Sequence, residues 1–300
     1  MKLVLQHSAN LPRKRRLEWF QVFSYVVVSI FALCCLLPFW LLISGSITNE
    51  GELIRDGYAL WPHTFSLQAY QVIFSGDNQI VTSYGVSIFI TVVGTALALL
   101  MTTALAYSIA NRQNRFSRLL SFFVYFPMVF NGGLVPFYLL VTQGLQLSDN
   151  LLAVILPLLV NPFFVFIMVS FFRKIPGELL ESARLDGASE ARIFLSIVLP
   201  ISTPILATIG LFYALVYWND WFMALLFLSD QSQFPLQLLL QNLIANLDMS
   251  QSLQYNPIVQ VPSYQIRMAL TLLTIGPIIF VYPFVQRYFI RGLTLGSTKG

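Results

Sequence analysis

The chain has 300 residues, of which 57% are hydrophobic and only 10% are charged, and its formal net charge is +4 at pH 7. Its mean hydropathy of +0.73 excludes an ordinary soluble domain and is typical of a protein that crosses a membrane several times. The basic balance does not indicate nucleic-acid binding, because no aromatic side chains are interleaved with the charges.

Six apolar runs are long enough to cross a bilayer core, which takes about 20 helical residues. Alternating period-2 strands are absent, and the runs are far too long for barrel strands. Helices are then the only way to satisfy the backbone amides in lipid. The sequence predicts an all-α membrane protein with six transmembrane helices, near residues 20–45, 81–110, 117–143, 151–172, 201–228 and 267–290.

No stretch between these runs is long enough for a second domain, and no internal repeat is evident. We therefore expect an N-terminal segment over residues 1–19, one membrane domain over 20–290 and a short tail over 291–300.

The first run imitates a secretory signal, but residues 20–43 exceed the usual ~7–15 residues of a signal core. A retained first helix is the prediction. Cys34 and Cys35 are adjacent within it, where neighbouring thiols cannot form an ordinary disulfide and are expected to be packing residues.

Lysine and arginine residues set the orientation, because short loops rich in positive charge stay in the cytoplasm. The opposite side of the predicted spans holds only Arg55, with Arg267 at the mouth of the last span. We therefore expect both termini and the loop after span four in the cytoplasm. The residues that define this side are Arg13, Lys14, Arg15, Arg16, Arg112, Arg115, Arg118, Arg173, Lys174, Arg184, Arg192, Arg287, Arg291 and Lys299.

A polar segment over residues 173–200 separates the fourth and fifth apolar runs. Residues 175–178, Ile-Pro-Gly-Glu, predict a helix start, because proline is tolerated in the first turn and an acidic residue favours the positive end of the helix dipole. The helix is expected to run to about Asp186. Gly187 predicts the left-handed turn that ends it.

A second short helix is expected to follow directly. Ser189 predicts its N-cap, and Pro200 predicts the start of the fifth span. On the first helix, Ala183 shares a face with Leu179 and Asp186, and so small a residue lets another backbone approach closely. The segment is predicted to be a projecting knob suited to docking in a groove.

This segment resembles the EAA loop of the permeases of ATP-binding-cassette (ABC) importers. Its glycine follows the alanine after three residues, and nine residues separate that glycine from the isoleucine. The one departure is a serine at the first alanine position. The resemblance implies a type I ABC importer permease fold, with a cytoplasmic coupling helix seated in a cleft of an ATPase subunit. The matching residues are Glu181, Ser182, Ala183, Asp186, Gly187, Ile197, Leu199 and Pro200.

An ordinary charged loop that only enforces topology is the alternative interpretation. Arg173, Lys174, Arg184 and Arg192 would serve that purpose. Such a loop does not account for the spacing of helix, glycine turn and helix.

The resemblance covers most of the chain. Residues 218–220 and the tail over 288–300 are similar to the carbohydrate-uptake branch of the family. Residues 130–136 and 235–238 are similar to permeases of polysaccharide and complex-oligosaccharide importers, including alginate-type systems. The resemblance implies a multi-pass protein of the bacterial inner membrane. Its implied partners are a second permease subunit, expected to be a different chain, two ATPase subunits and an extracytoplasmic substrate-binding protein.

ATP hydrolysis is expected in the partner subunits, because the chain lacks the G-x-x-x-x-G-K-[S/T] string that holds phosphates. ATP and Mg are therefore expected there, with no cofactor or metal on this chain. Catalytic strings are also absent, and His7 and His63 fall on opposite sides of the predicted membrane. We do not expect an enzyme.

Polar and aromatic residues within the spans predict a substrate pathway, because polar groups facing lipid are costly. Asp220 is the only acid in a predicted span. Tyr213, Tyr217 and Trp221 are predicted to share its helical face, and either a sugar pathway or an interfacial aromatic belt accounts for them. Asn161 is a weaker pathway candidate, because it precedes a proline and satisfying the carbonyl freed by a kink is the alternative interpretation. The pathway candidates are Tyr213, Tyr217, Trp218, Asn219, Asp220, Trp221 and Asn131.

The outer segment over residues 235–247 repeats its leucines and isoleucine on one helical face and predicts an amphipathic helix. A lid packed on the spans and a contact for the substrate-binding protein both remain open.

The tail, with glycines spaced by four at 292, 296 and 300, is too flexible to form a stable helix alone. The resemblance implies that it reaches between the ATPase subunits, and a frayed end is the alternative.

Two functions are compatible with this membrane architecture. One is a permease half driven by separate ATPases, and the other is an autonomous ion-coupled carrier. A carrier usually needs titratable groups near the membrane midplane, whereas Asp220 is expected in the outer third of the bilayer. The coupling loop has no use in a carrier, so the sequence favours the permease.

Overall fold

The computed structural model of the chain describes residues 19–75, 79–111, 113–253 and 262–296. The described residues form helices and turns, with a single antiparallel bridge between Thr48 and Phe65. The all-α prediction is confirmed for this part of the chain. The basic cluster at residues 13–16, Arg112 and the last four residues of the tail lie outside the described residues, as do the side chains of 280–296.

Fourteen helical segments and one short 3-10 helix, Gln231–Gln233, follow one another along the described residues. The fourteen segments are α1 (Trp19–Ser46), α2 (Glu50–Arg55), α3 (Gln68–Ser75), α4 (Gln79–Ala110), α5 (Ser117–Val129), α6 (Leu134–Gly144), α7 (Leu152–Leu158), α8 (Pro162–Phe172), α9 (Gly177–Leu185), α10 (Glu190–Ile201), α11 (Thr203–Asn219), α12 (Phe222–Phe227), α13 (Leu236–Leu253) and α14 (Ser263–Gly296).

Two of the described helices, α1 and α4, are each long and apolar enough to cross a membrane. Two bent pairs raise that number to four if each pair is one span: α7 with α8, bent by 46°, and α10 with α11, bent by 82°. The 34-residue helix α14 spans about 50 Å at ~1.5 Å per residue. The count of six spans remains a prediction.

The third, fourth and fifth predicted spans are not continuous helices, which corrects the sequence prediction. Residues 130–133 separate α5 from α6, where Gly133 has a φ of +89°. Residues 159–161 separate α7 from α8, because Pro162 cannot donate a backbone hydrogen bond. The helix α11 ends at Asn219. Broken helices at membrane depth are tolerated only where protein or a cavity surrounds them.

The start of the fifth span also differs from the prediction. The helix α10 continues through Pro200 to Ile201, and α11 begins at Thr203 after the 82° bend. Pro204 lies in the first turn of α11, where its missing N–H has no helical partner to lose. Pro204 and not Pro200 therefore marks the entry into the span.

The core forms where α4 packs along α11 and α8. Two glycines allow the close approach of α4 and α11. A Cβ on Gly94 would come within 2.7 Å of the Tyr217 ring, and one on Gly210 within 2.9 Å of Leu99. By contrast, α1 packs mainly on α14 and is buried only at its end, from Ser44 to Ser46.

The predicted amphipathic helix in the outer segment is confirmed as α13, which begins at Leu236. Leu236, Leu239 and Leu240 are buried against the rest of the chain. The backbone N–H of Leu236 donates to Ser87 Oγ at 2.7 Å, tying the helix to α4. These contacts are those of a packed lid.

The close contact of α4 with α11 can be tested by filling the space at Gly94. Gly94→Ala would place a methyl group against the Tyr217 ring, which cannot withdraw because its hydroxyl donates to the Ile155 carbonyl at 3.0 Å. Such overpacking costs about 1–3 kcal/mol. We expect a lower midpoint of thermal unfolding for the purified protein. Gly85→Ala is the control, because nothing lies within 4 Å of that position. Equal midpoints for Gly94→Ala and wild type would contradict this account of the core.

Candidate functional site

The helix α9 begins and ends as its sequence predicts. Pro176 precedes the first helical residue, Glu178 lies in the first turn and Arg184 in the last, so both charges favour the helix dipole. At the end, Gly187 has a φ of +79°, which a residue with a Cβ rarely adopts. The local sequence is thus sufficient to specify where this helix stops.

The turn after α9 is a Schellman motif. The N–H of Gly187 donates to the Arg184 carbonyl and the N–H of Ala188 donates to the Ala183 carbonyl, each at 3.0 Å. These bonds satisfy carbonyls that a helix end otherwise leaves unpaired. Ser189 Oγ then accepts from the N–H of Arg192 at 3.4 Å and caps α10, as predicted. The result is a compact helical hairpin at the surface.

One side of α9 is exposed and the other packs on the core. Leu180 and Ala183 contact the core cluster, whereas Glu181 and Ser182 are exposed. Leu185 is 89% exposed. The exposed side of α9 thus combines an apolar side chain with charged and polar neighbours.

The predicted coupling residues divide between these two sides. Ala183 was expected to admit a foreign backbone, and the structure instead packs it on the chain's own core, as it does Ile197. Leu199 and Pro200 form the last turn of α10, just before the bend. The exposed members are Glu181, Ser182, Asp186, Gly187 and Pro200.

A polar network links the hairpin to the end of α4. Glu190 Oε1 accepts from Arg184 Nε at 2.8 Å, and its Oε2 accepts from Tyr107 OH at 2.6 Å and from Asn111 Nδ2 at 3.3 Å. The hydrogen bond from Arg184, followed by that from Tyr107, holds the pKa of Glu190 below its usual value. One carboxylate therefore joins three helices.

A cavity of about 700 Å³ lies where two of the helix breaks meet. Its lining includes Phe130, Asn131 and Gly133 between α5 and α6, together with Phe222 and Met223 of α12. Asn131 Oδ1 accepts from the N–H of Gly133 at 2.8 Å and shapes this loop. The cavity is mostly apolar and aromatic, with an amide at its edge.

Three pathway candidates lie inside the protein core. Tyr213 is fully buried, Tyr217 is 3% exposed and Trp218 is 8% exposed. Tyr213 OH accepts from the N–H of Asn161 at 2.9 Å, and Trp218 Nε1 donates to the Thr274 carbonyl at 3.1 Å. These groups satisfy backbone atoms, and Trp218 also lines an apolar cavity of about 380 Å³ between α4, α11 and α14.

The predicted aromatic stripe is wrong as a continuous helical face, because α11 ends before Asp220. Asp220 is extended, and its Oδ1 accepts from the N–H of Met223 in the first turn of α12 at 3.4 Å. Trp221 is 38% exposed, and its ring lies 5.9 Å from that of Phe222, which lines the cavity. Asn219 is exposed and accepts from Gln237 Nε2 at 3.5 Å.

Sequence reasoning missed the network around Glu190 and the role of the core tyrosines. Tyr107 and Asn111 are four residues apart at the end of an apolar run. Aromatic and polar residues at that position are equally typical of an interfacial belt. For Tyr213, the signal was the break before Pro162, whose freed backbone groups need partners. Asn161 itself caps α8, accepting from the N–H of Phe163 at 3.0 Å.

Comparisons with known proteins agree with this architecture. Protein LplC of Bacillus subtilis (strain 168) is 43% identical over 266 residues, covering 88% of this chain and 90% of that protein. The polygalacturonan/rhamnogalacturonan transport system permease protein YtcP of the same organism is 40% identical over 286 residues, covering 94% and 98%.

A solved structure also matches, that of a bacterial ABC transporter involved in the import of the acidic polysaccharide alginate. It is 32% identical with a TM-score of 0.78, covering 90% of this chain and 96% of that one. The family model described as "binding-protein-dependent transport system inner membrane component" matches residues 94–295. This match includes the helical hairpin, both walls of the cavity and the helix α4 from Gly94 onward. The chain therefore belongs to the family of binding-protein-dependent transport system inner membrane components.

Proposed function

We propose that this chain is the permease subunit of an ATP-driven, binding-protein-dependent importer of oligosaccharides or polysaccharide fragments. The observation that carries the proposal is the exposed helix α9, ended by a Schellman turn, with the spacing of an ABC coupling helix. Its face with Glu181, Ser182, Leu185 and Asp186 would seat in a cleft of an ATPase subunit. Leu185, which is exposed in the isolated chain, would then be buried.

Coupling follows from how the hairpin is attached. The helix α10 runs from the hairpin to the 82° bend, and α11 begins there and packs on α4. A push on α9 would be transmitted through α10 to α11, which leads to the cavity wall at Phe222. ATP and Mg would be bound by the partner ATPases, and this chain would supply the moving lever and part of the pathway.

The rest of the assembly follows from the same family. A second permease subunit would complete the pathway, and an extracytoplasmic binding protein would deliver the substrate to the side of α13. Both termini would be cytoplasmic in a bacterial inner membrane, with residues 291–300 reaching between the ATPases. The coupling segment over residues 173–200 would lie on the same side.

Saccharides are the proposed substrate class. The relatives' names cite polygalacturonan, rhamnogalacturonan and alginate, which indicates acidic polymers. The cavity offers rings at Phe130, Phe137 and Phe222 and the Asn131 amide, groups that suit the faces and hydroxyls of sugars. Its described lining contains no lysine or arginine. Carboxylates of an acidic sugar would therefore find their cations elsewhere in the complex.

The coupling role can be tested at Gly187. Gly187→Pro removes the amide that donates to Arg184 and forbids the positive φ. We expect a loss of substrate-stimulated ATP hydrolysis in the assembled complex, with membrane insertion unchanged. Gly187→Ala should give a smaller loss, because a left-handed alanine costs about 1–2 kcal/mol. Gly177→Ala is the matched control, since that glycine has open space and no positive φ. An unaltered rate in Gly187→Pro would remove the docking claim.

The pathway role can be tested at Trp221 and Asn131. Trp221→Ala should lower uptake at limiting substrate, since one aromatic contact contributes about 0.5–1.5 kcal/mol, and Asn131→Ala should act in the same direction. ATP hydrolysis and assembly should persist in both. Phe31→Ala is the control, because that ring is 71% exposed on α1. Equal uptake in all three variants would favour the interfacial-belt interpretation.

A further inference from the structure

We propose that Glu190 is a positioning residue for energy coupling, because its carboxylate clamps the docking helix α9 to the end of α4. The inference rests on the proposed docking of α9 and concerns how its angle is fixed. The clamp consists of Glu190, Arg184, Tyr107 and Asn111, and we call it the Glu190 clamp.

The geometry of the Glu190 clamp joins three separate elements. Arg184 is on α9, Glu190 is the first residue of α10, and Tyr107 lies in the last turn of α4. Both oxygens of one carboxylate are engaged, at 2.8 Å to Arg184 and 2.6 Å to Tyr107. Charge-assisted hydrogen bonds at these distances are strongly directional. A rotation of α9 relative to α4 would break at least one of them.

Apolar packing beneath α9 does not fix that angle by itself. A small void of about 30 Å³ lies beside the clamp, lined by groups that include Tyr107, Asn111, Leu180 and Val198. A void leaves its lining without partner atoms on one side. The position of α9 over this space therefore depends on the polar bonds at its rim.

Tyr107 is itself held in place on the core side. Its ring centroid lies 5.1 Å from that of Phe194 on α10, and α4 continues from it into the contact with α11. An isolated exposed ion pair contributes little to stability, and Arg184 and Glu190 alone would be such a pair. The Glu190 clamp adds a third partner to this pair, the Tyr107 hydroxyl on α4. Motion of α9 is thereby passed to α4 as well as to α10.

A double-mutant cycle on the complete transporter tests the clamp. The variants are Tyr107→Phe, Glu190→Gln and both together, in proteoliposomes with the partner subunits and oligogalacturonides as the transported probe. Because one carboxylate serves both bonds, we expect each single change to lower the uptake per ATP hydrolysed several-fold and the double change to add little more. Losses that multiply would overturn the clamp as a unit. Arg192→Gln removes a nearby charge and is expected to have no effect.

A charge reversal supplies a second test of the pair formed by Arg184 and Glu190. Glu190→Arg alone should uncouple transport, and Arg184→Glu combined with it should restore a large part of the coupling by reforming the pair in reverse. Hydrogen exchange of residues 183–188 in the assembled complex gives a readout that does not depend on the probe. Exchange should rise about tenfold in Glu190→Ala and recover in the reversed pair. If neither the coupling nor the hydrogen exchange recovers in the reversed pair, the pairing of Arg184 with Glu190 is refuted.

The pH dependence has a defined sign. The groups that face Glu190 are Arg184 from α9, Tyr107 from the last turn of α4 and Asn111 directly after it. Because the pKa of Glu190 is lowered from 4.5, the protection that it gives should be complete above pH 4.5 and lost as pH falls through the lowered pKa. The difference in hydrogen exchange of residues 183–188 between wild type and Glu190→Gln should therefore be largest above pH 4.5 and disappear as the pH falls through the lowered pKa. A difference that changes between about pH 6 and 8 would contradict it.

Failure of the clamp is distinguishable from failure of docking. Wild-type coupling in the Glu190 variants, alongside uncoupling in Gly187→Pro, would refute the clamp and leave the docking helix intact. Wild-type coupling in both sets would refute docking and the clamp together. Loss of the ATPase subunits on purification of Glu190→Gln would show a role in assembly instead of positioning, and would also overturn the inference.

Discussion

The architecture depends on how the backbone groups at the break in the fourth predicted span find hydrogen-bond partners. Pro162 and the residues before it leave backbone groups unpaired, and such groups are expensive inside a membrane protein. Tyr217 OH donates to the Ile155 carbonyl at 3.0 Å, and Tyr213 OH accepts from the N–H of Asn161 at 2.9 Å. Two hydroxyls from α11 thus complete the hydrogen bonding of a neighbouring helix, and Gly94 provides the room that the Tyr217 ring requires.

These hydrogen bonds hold the continuous helix α11 beside the broken pair α7 and α8. The helix α11 is held against α4 and against the broken pair α7 and α8, whereas the chain changes direction at both ends of α11, at Ser202 and at Asp220. A segment that is fixed along its length and bent at its ends transmits displacement from one end to the other. The proposed lever therefore needs no flexibility within α11, only at its two junctions.

Local sequence predicted the hairpin well because its determinants are local. Gly187 and Ser189 specify a turn and a cap through hydrogen bonds to residues a few positions away. The apolar runs predicted where helices occur, but not their breaks, since an apolar run gives no period signal when all faces are apolar. The break before Pro162 indicates backbone groups in need of partners, but the sequence does not show that Tyr213 reaches them, because its own partners, Thr102 and Asn161, come from distant parts of the chain.

The Schellman turn has a consequence for biogenesis. Its hydrogen bonds, such as that from Ala188 to Ala183, connect residues that emerge from the ribosome almost together, so the turn forms early. A helix of nine residues is nonetheless marginal in water. The hairpin should therefore remain frayed until it reaches Tyr107, which is synthesised earlier on α4. Because Tyr107 precedes the hairpin in the chain, its anchor on α4 is already available when the hairpin emerges, and the hairpin can become ordered without waiting for any later segment.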